Sequence, residues 1–420
     1  MEWAVEHVRL DIPEERIDWR AKGFWWHGPA IPTGDFAARR PHLFDGSFTW
    51  PVMAARRSAL EGNIAALADF AREHGLSFAP HGKTTMAPQL FQAQFDAGAW
   101  GLTAATANQV LAYRRFGVPR VLLANELLDP TALGWIVAEL DRDPDFDFLY
   151  YIDRSNPGYH RAAEAVAGRP SGRPLRVLVE RGFPGGRTGC RERAEMMAVA
   201  RTIHATPGLE VAGVAAYEGG LETREDVGEL VRALVADAWR MGEEGLTGER
   251  PIVSVGGSAW FDVVAEELGG RDDVWPILRS GAYVAHDDGL YRDTTPFRRI
   301  GGADGPLSAA LEIWAQISSA PEEGLAIAAL GKREANFDAG LPVPKVVRRA
   351  DGREQDAAAI EVTKLNDHHA YLRLPDGFRI EPGDLVMFGI SHPCTAFDRW
   401  RFIPVVDDDH TVVDVLTTYF

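Results

Sequence analysis

The chain is short of cysteine, carries no surplus of positive charge and contains no long apolar run. Its 420 residues include two cysteines, Cys190 and Cys394. A disulfide framework is therefore not what holds it together, and a reducing compartment fits. Lys and Arg number 44 against 61 Asp and Glu, a net charge of -17. That balance sets aside nucleic acid and anionic membrane as main partners. A small anionic ligand stays compatible, because phosphate sites are built from a few local amides. No uninterrupted apolar stretch is long enough to span a bilayer. The opening Met1-Glu-Trp-Ala-Val-Glu-His7 has no basic segment leading into an apolar core, which predicts no secretory leader and a cytoplasmic home. There is no internal repeat and no low-complexity segment.

What the chain does have is alternation. Its length exceeds the usual single-domain range, so two domains are expected. Residues 1–47 read as an irregular arm with one short helix, fastened by aromatics among Trp19, Phe24, Trp25 and Trp26. From residue 48 to 300, eight short apolar runs alternate with helical pattern. The runs fall at residues 76–80, 99–104, 120–124, 146–152, 175–180, 209–216, 251–255 and 275–278. Continuous apolar runs between helices indicate parallel strands buried on both faces. Eight such units predict a (β/α)8 TIM barrel, with an open doubly wound sheet as the alternative. Residues 301–420 lose the helical periodicity and read as a mostly antiparallel β domain.

Barrel enzymes work at the C-terminal ends of their strands. The first predicted strand ends in Pro80-His-Gly-Lys-Thr84. Lys83 is there either a solvated loop residue or a catalytic amine. The fifth strand delivers Glu180 and then Arg187, and the sixth delivers Tyr217 and Glu218. The seventh ends in Gly256-Gly-Ser258 and the eighth in Arg279-Ser-Gly-Ala-Tyr283. The glycine turn before a helix is what a phosphate needs, although a plain turn with Ser258 as N-cap has the same composition. A rim lysine, a glycine turn opposite, and Arg187 with Tyr217 between them suggest pyridoxal 5'-phosphate carried on Lys83.

In their order and spacing, Pro80-His-Gly-Lys-Thr84, Arg187-Thr-Gly189, Tyr217-Glu-Gly219, Gly256-Gly-Ser258 and Leu278-Arg-Ser-Gly-Ala-Tyr283 resemble the alanine racemase-like (fold type III) pyridoxal enzymes. The resemblance is closest to the D-serine dehydratase and D-threonine aldolase branch, and it spans about residues 48–420. It implies a homodimer. It implies Lys83 and Tyr217 as catalytic residues, and Arg187, Gly256, Gly257, Ser258, Arg279, Gly281 and Ala282 as further cofactor contacts. It also implies that the strand near residue 50 joins the β domain.

Late in the chain stands Ser391-His-Pro-Cys394. On an extended strand, His392 and Cys394 share a face. Imidazole with thiolate suits Zn2+ and leaves open positions for water and substrate, whereas a bare His-x-Cys is also consistent with a buried apolar cysteine. The resemblance implies a metal pair here, His-x-Cys in the dehydratases and His-x-Asp in the aldolases. It also expects imidazoles where this chain has Thr85 and Gly220. Three readings follow. The first is a zinc-assisted dehydratase (deaminase) turning a D-β-hydroxy amino acid into a 2-keto acid and ammonia. The second is a metal-dependent D-threonine aldolase-type lyase, and the third is a non-catalytic pyridoxal phosphate carrier. A further cluster, His286-Asp-Asp288, follows the eighth strand.

Overall fold

The computed structural model describes residues 7–154, 158–167, 172–301 and 305–420. Most of the opening segment read for a leader lies outside them. The chain divides into two compact units. One consists of the segment ending at Asp11 with Leu67–Lys83 and Phe91–Gly281. The other consists of Ile12–Ala66, Thr84–Leu90 and Ala282–Phe420.

The first unit is a ring of eight parallel strands: Ser77–Phe78, Leu102–Ala104, Arg120–Glu126, Asp147–Ile152, Leu175–Arg181, Leu209–Ala216, Ile252–Ser254 and Trp275–Leu278. Each pairs with its sequence neighbour, and the eighth returns to the first through Ile277↔Ser77 and Leu278↔Phe78. The ring closes between the first and second strands at the His81↔Thr103 bridge. Thr103 N donates to Pro80 O at 2.9 Å and Trp100 N to Phe78 O at 2.7 Å. The fold is the expected TIM barrel rather than an open sheet.

Strand alternation sorts the apolar runs into two layers. Leu122, Leu149, Leu178, Ile252 and Ile277 pack with Trp100 in one cluster. Residues such as Phe148 and Tyr150 stack together on the other face of their strand, with ring centroids 5.8 Å apart. Helix starts are fixed locally: Thr106, Asp129 and Thr223 each accept a backbone N–H of the first turn that follows, satisfying donors that no helical carbonyl can reach. Among the described residues no helix is long and apolar enough to cross a membrane.

The second unit is built on the long strand Leu311–Glu322. It pairs antiparallel with Leu385–Gly389, Leu325–Ala328 and Val52–Arg56. The strand near residue 50 therefore belongs to this sheet, and it begins at Val52 because Pro51 has no N–H to give a ladder. Phe402–Val406 runs parallel to it and antiparallel to Val412–Thr417.

The arm does hold one short helix, Thr33–Ala38, and aromatics do fasten it, but not all the expected ones. Trp19 and Trp25 are 79% and 63% exposed. The packing falls to Phe24, Phe36 and Phe48, whose rings meet at 5.1–5.8 Å, with Phe402 against Phe24. Composition announced aromatic anchoring; which rings turn inward was settled by the paired segments Arg16–Ile17 and Ile31–Pro32. Phe36→Ala should empty a site of almost complete burial and lower the unfolding free energy by about 3–5 kcal/mol. Denaturant titration of the full chain measures it, and a loss below about 1 kcal/mol would show the arm to be loosely held.

Candidate active site

The glycine of the His-Gly-Lys segment is required by close packing. A Cβ at Gly82 would stand 2.5 Å from the Tyr113 hydroxyl and 2.9 Å from the Phe91 ring. The turn Gly82–Thr84 thus leaves the strand pressed against the barrel wall and presents Lys83 half-buried. Among the described residues its amine has no hydrogen-bond or ion-pair partner. His81 beside it is half-buried with its Nδ1 shielded from solvent, and burial first, then the charges of Lys83 and Arg279, hold its pKa well below the usual imidazole range. Arg187 adds to the same field. A chain of net charge -17 has gathered Lys83, Arg187 and Arg279 around one neutral histidine.

Arg279 is 4% exposed. Its Nη2 donates to Ala216 O, and its guanidinium lies 5.7 Å from the Tyr151 ring centroid. Arg187, on the loop after the fifth strand, stacks on the Tyr217 ring at 4.1 Å. Both line a cavity of about 130 Å³ with Glu180, Phe183, Thr188 and Gly220. Gly281 approaches His81 so closely that a Cβ would meet its carbonyl oxygen at 2.7 Å. Ala282 is buried at the start of the short turn Ala282–Val284.

The glycine turn is not the open cup that its sequence implies. Glu218, fully buried, accepts Gly256 N on Oε2 at 3.2 Å and Gly257 N on Oε1. On the carbonyl side, Ser280 Oγ donates to Gly257 O at 3.0 Å and Arg279 N to Gly256 O at 3.0 Å. Gly256 has φ +106, and a Cβ there would lie 2.3 Å from Leu278, so no other residue fits. Two of the three expected phosphate contacts are thus held by an internal carboxylate. Ser258, at the turn into Phe261–Leu268, is the remaining one. Glu218 went unassigned because its reach of 38–39 residues leaves no local pattern.

The rim also carries acids. Glu126, Asp153 and Glu180 end three adjacent strands. Burial, then Asp153 and Glu180, push the Glu126 carboxyl up to about 9. Burial likewise raises Glu180, against a hydrogen bond with Thr188 and the charge of Arg279. Among the described residues, buried polar atoms around the mouth lack protein partners: His81 Nδ1, Glu126 Oε1, Tyr151 OH, Glu180 Oε2 and Arg279 Nε. Such atoms are costly unless a ligand or water meets them. With the unengaged lysine, they suit a polar, anionic cofactor of the pyridoxal phosphate type.

In the second unit, His392 Nδ1 lies 2.7 Å from Asp338 Oδ2. A hydrogen bond with Cys394, then Asp338, raises the imidazole to about 9. Cys394 Sγ is 3.5 Å from the Thr84 hydroxyl. Imidazole and thiol therefore meet as the His-x-Cys spacing suggested, although Pro393–Thr395 is a short 3-10 turn, not a strand. The pair fits a borderline-soft divalent metal such as zinc, and among the described residues no group of three or more His, Cys, Asp or Glu gathers to hold one. His286 is buried with Nδ1 unpartnered, while Asp287 is taken up by the amides of Gly289, Tyr291 and Arg292.

Comparison with known proteins agrees with this geometry. Residues 310–406 match the family described as "Putative serine dehydratase domain". D-threonine aldolase of Arthrobacter sp. is 25% identical over 371 residues, 85% of this chain and 89% of its own. D-threo-3-hydroxyaspartate dehydratase of Delftia sp. is 27% identical over 248 residues, 56% of this chain and 61% of its own. The crystal structure of D-threonine aldolase from Filomicrobium marinum superposes with a TM-score of 0.75 at 21% identity, covering 89% of this chain and 95% of that one. The chain has the alanine racemase-like fold, and its matches lie among serine dehydratases, D-threonine aldolases and 3-hydroxyaspartate dehydratases. Glu126 is a half-buried strand-end acid whose protonation has a measurable consequence. Its folded pKa stands above the ordinary 4.5, so the folded state binds the extra proton. This contribution to stability is complete below about 4.5 and lost as pH rises through about 9. Glu126→Gln, fixed in the neutral form, should gain on the parent by up to about 1.4 kcal/mol per pH unit across that window. Parallel stability curves for the two proteins would show Glu126 to be ionised.

Proposed function

We propose that this chain, a lyase by family, is a pyridoxal phosphate- and zinc-dependent dehydratase that converts a D-β-hydroxy amino acid into a 2-keto acid and ammonia. The observation that carries the reading is the contact between His392 and Cys394, with Asp338 on the imidazole's other side. In the dehydratases that the sequence resembles, thiolate stands where the aldolases carry carboxylate. A homodimer is part of the same reading.

Pyridoxal phosphate, when bound, supplies the electron sink that makes the substrate Cα–H acidic. Lys83 would hold the cofactor through Nζ, and the same amine would serve as the base for the Cα proton. Ser258 and the first turn of Phe261–Leu268 receive the phosphate, on a turn that Glu218, Ser280 and the Arg279 amide hold rigid. Arg187, stacked on Tyr217, would supply a permanent cation near the cofactor's phenolic oxygen. His81 stays neutral and adds no charge that would compete with Lys83. A zinc ion on His392 and Cys394 supplies Lewis acidity toward the departing β-hydroxyl.

The aldolase reading has an observation of its own. The relatives matching 82–85% of this chain are D-threonine and 3-hydroxy-D-aspartate aldolases. Products separate the two. Purified protein incubated with a panel of D-β-hydroxy amino acids should release keto acid and ammonia in equal amounts, and a chelator should suppress both. Glycine with an aldehyde would establish cleavage of Cα–Cβ instead. Lys83→Ala should lose the visible cofactor absorption and about 10²–10⁴-fold in rate. An unchanged spectrum in that variant would overturn the cofactor assignment.

A further inference from the structure

We infer that Asp338 is the positioning residue of the His392–Cys394 pair: its carboxylate holds the imidazole with the proton on Nδ1 and leaves Nε2 for a divalent metal. The inference rests on the metal reading above. The residue carries no motif, and it lies 54 positions before the histidine it contacts.

Four contacts support it. Asp338 Oδ2 is 2.7 Å from His392 Nδ1. A carboxylate oxygen only accepts, so the proton of that bond belongs to the ring nitrogen. Asp338 Oδ1 accepts from the Thr395 hydroxyl at 2.6 Å. One carboxylate thus grips the residues on both sides of Pro393–Cys394. The loop bearing it is anchored as well. Asn336, fully buried, donates from Nδ2 to Ser391 Oγ at 3.0 Å, and Ser391 Oγ donates to Gly340 O at 2.7 Å. Ser391 directly precedes His392, so both flanks of Asp338 are tied to the strand end that presents the imidazole.

The chemistry follows from the two ring nitrogens. A metal needs a lone pair, and a carboxylate on the opposite N–H fixes which nitrogen offers it, orients the ring and raises its basicity. Removing such a partner weakens metal binding by about 10–100-fold. A merely structural aspartate would instead lower the melting temperature without a specific loss of metal affinity.

The test is a Co2+ titration of the full-length, metal-stripped protein, read by the thiolate-to-cobalt charge-transfer absorption. The parent should show the band and Cys394→Ala should not. Asp338→Ala should weaken Co2+ binding by about 10–100-fold, with unchanged visible cofactor absorption and melting temperature. Asp338→Asn, which keeps an acceptor oxygen but not the charge, should fall between. Should Asp338→Ala fail to fold, the isosteric Asp338→Asn carries the test with a loss of several-fold. Equal affinity in parent and variants would overturn the role of Asp338 while leaving the metal site standing. A parent without the charge-transfer band would overturn the metal site itself, and the inference with it.

Discussion

Closure of the parallel ring at His81 and Thr103 is the constraint on which the catalytic end of the barrel depends. An eight-stranded parallel sheet whose strands are buried on both faces has room for polar side chains only where strands end. Once the first strand bonds to both the eighth and the second, all eight ends lie on one rim. The basic groups of the first, fifth and eighth strands are then forced into one electrostatic neighbourhood. His81 registers the result: its Nδ1 is shielded from solvent, it feels Lys83, Arg279 and Arg187 together, and it stays neutral. In an open sheet the first and second strands would be the two edges, and Lys83 would stand at a margin, screened by water.

The same closure explains why acids sit among those cations. Glu180 is buried between the charge of Arg279 and a second carboxylate, Asp153, and Glu126 one strand further on is pushed into its protonated form. At low dielectric an unpaired charge is too costly to keep, so each group either finds a partner or gives up its charge. His81 and Glu126 do the latter. Arg279 keeps its charge by donating to Ala216 O while Nε stays unpaired. An orphaned donor of this kind costs about 1–3 kcal/mol, and a ligand that met it would be bound partly by relieving that cost. The mouth is therefore under-satisfied in the way a binding site is, and the acids keep the positive field local.

The parts of this arrangement that were readable from sequence are those in which the signal is periodic or local. The eight strands, their order and the residues at their ends follow from apolar runs punctuated by glycine and proline, and the observed strand limits differ from the expected ones by only a few residues. Tyr217 and Arg279 directly follow a strand, and Lys83 and Arg187 lie in the loops after theirs, so a reading of strand ends reaches all four. What stayed hidden acts across the chain. Glu218 occupies the Gly256–Gly257 amides from 38–39 residues away, so the turn read as vacant for phosphate while an internal anion already holds it. Asp338 contacts His392 from 54 positions upstream, and a lone aspartate between Phe337 and Ala339 carries no pattern. Trp19 and Trp25 misled for the converse reason: composition records that an aromatic is present, not which way the chain turns it.

The proposed dehydration can be weighed against Cα–Cβ cleavage by asking where a base is needed. Cleavage of that bond requires a proton to leave the β-hydroxyl, whereas dehydration requires one to leave Cα and the hydroxyl to depart as hydroxide. Lys83 serves the second demand. The first calls for a base facing the hydroxyl, and the two positions where the resembling branch offers imidazole are Thr85 and Gly220 in this chain. Thr85 is 3% exposed and its hydroxyl accepts the Ala87 amide at 3.4 Å. A Cβ at Gly220 would face the Phe183 ring at 3.2 Å, an apolar wall that leaves little room for an imidazole. Neither position supplies a proton acceptor near neutral pH. Both imidazoles are expected across the resembling branch, dehydratases and aldolases alike, so their absence bears on which substrate fits, and in the proposed reading the choice between the two bonds rests on Cys394.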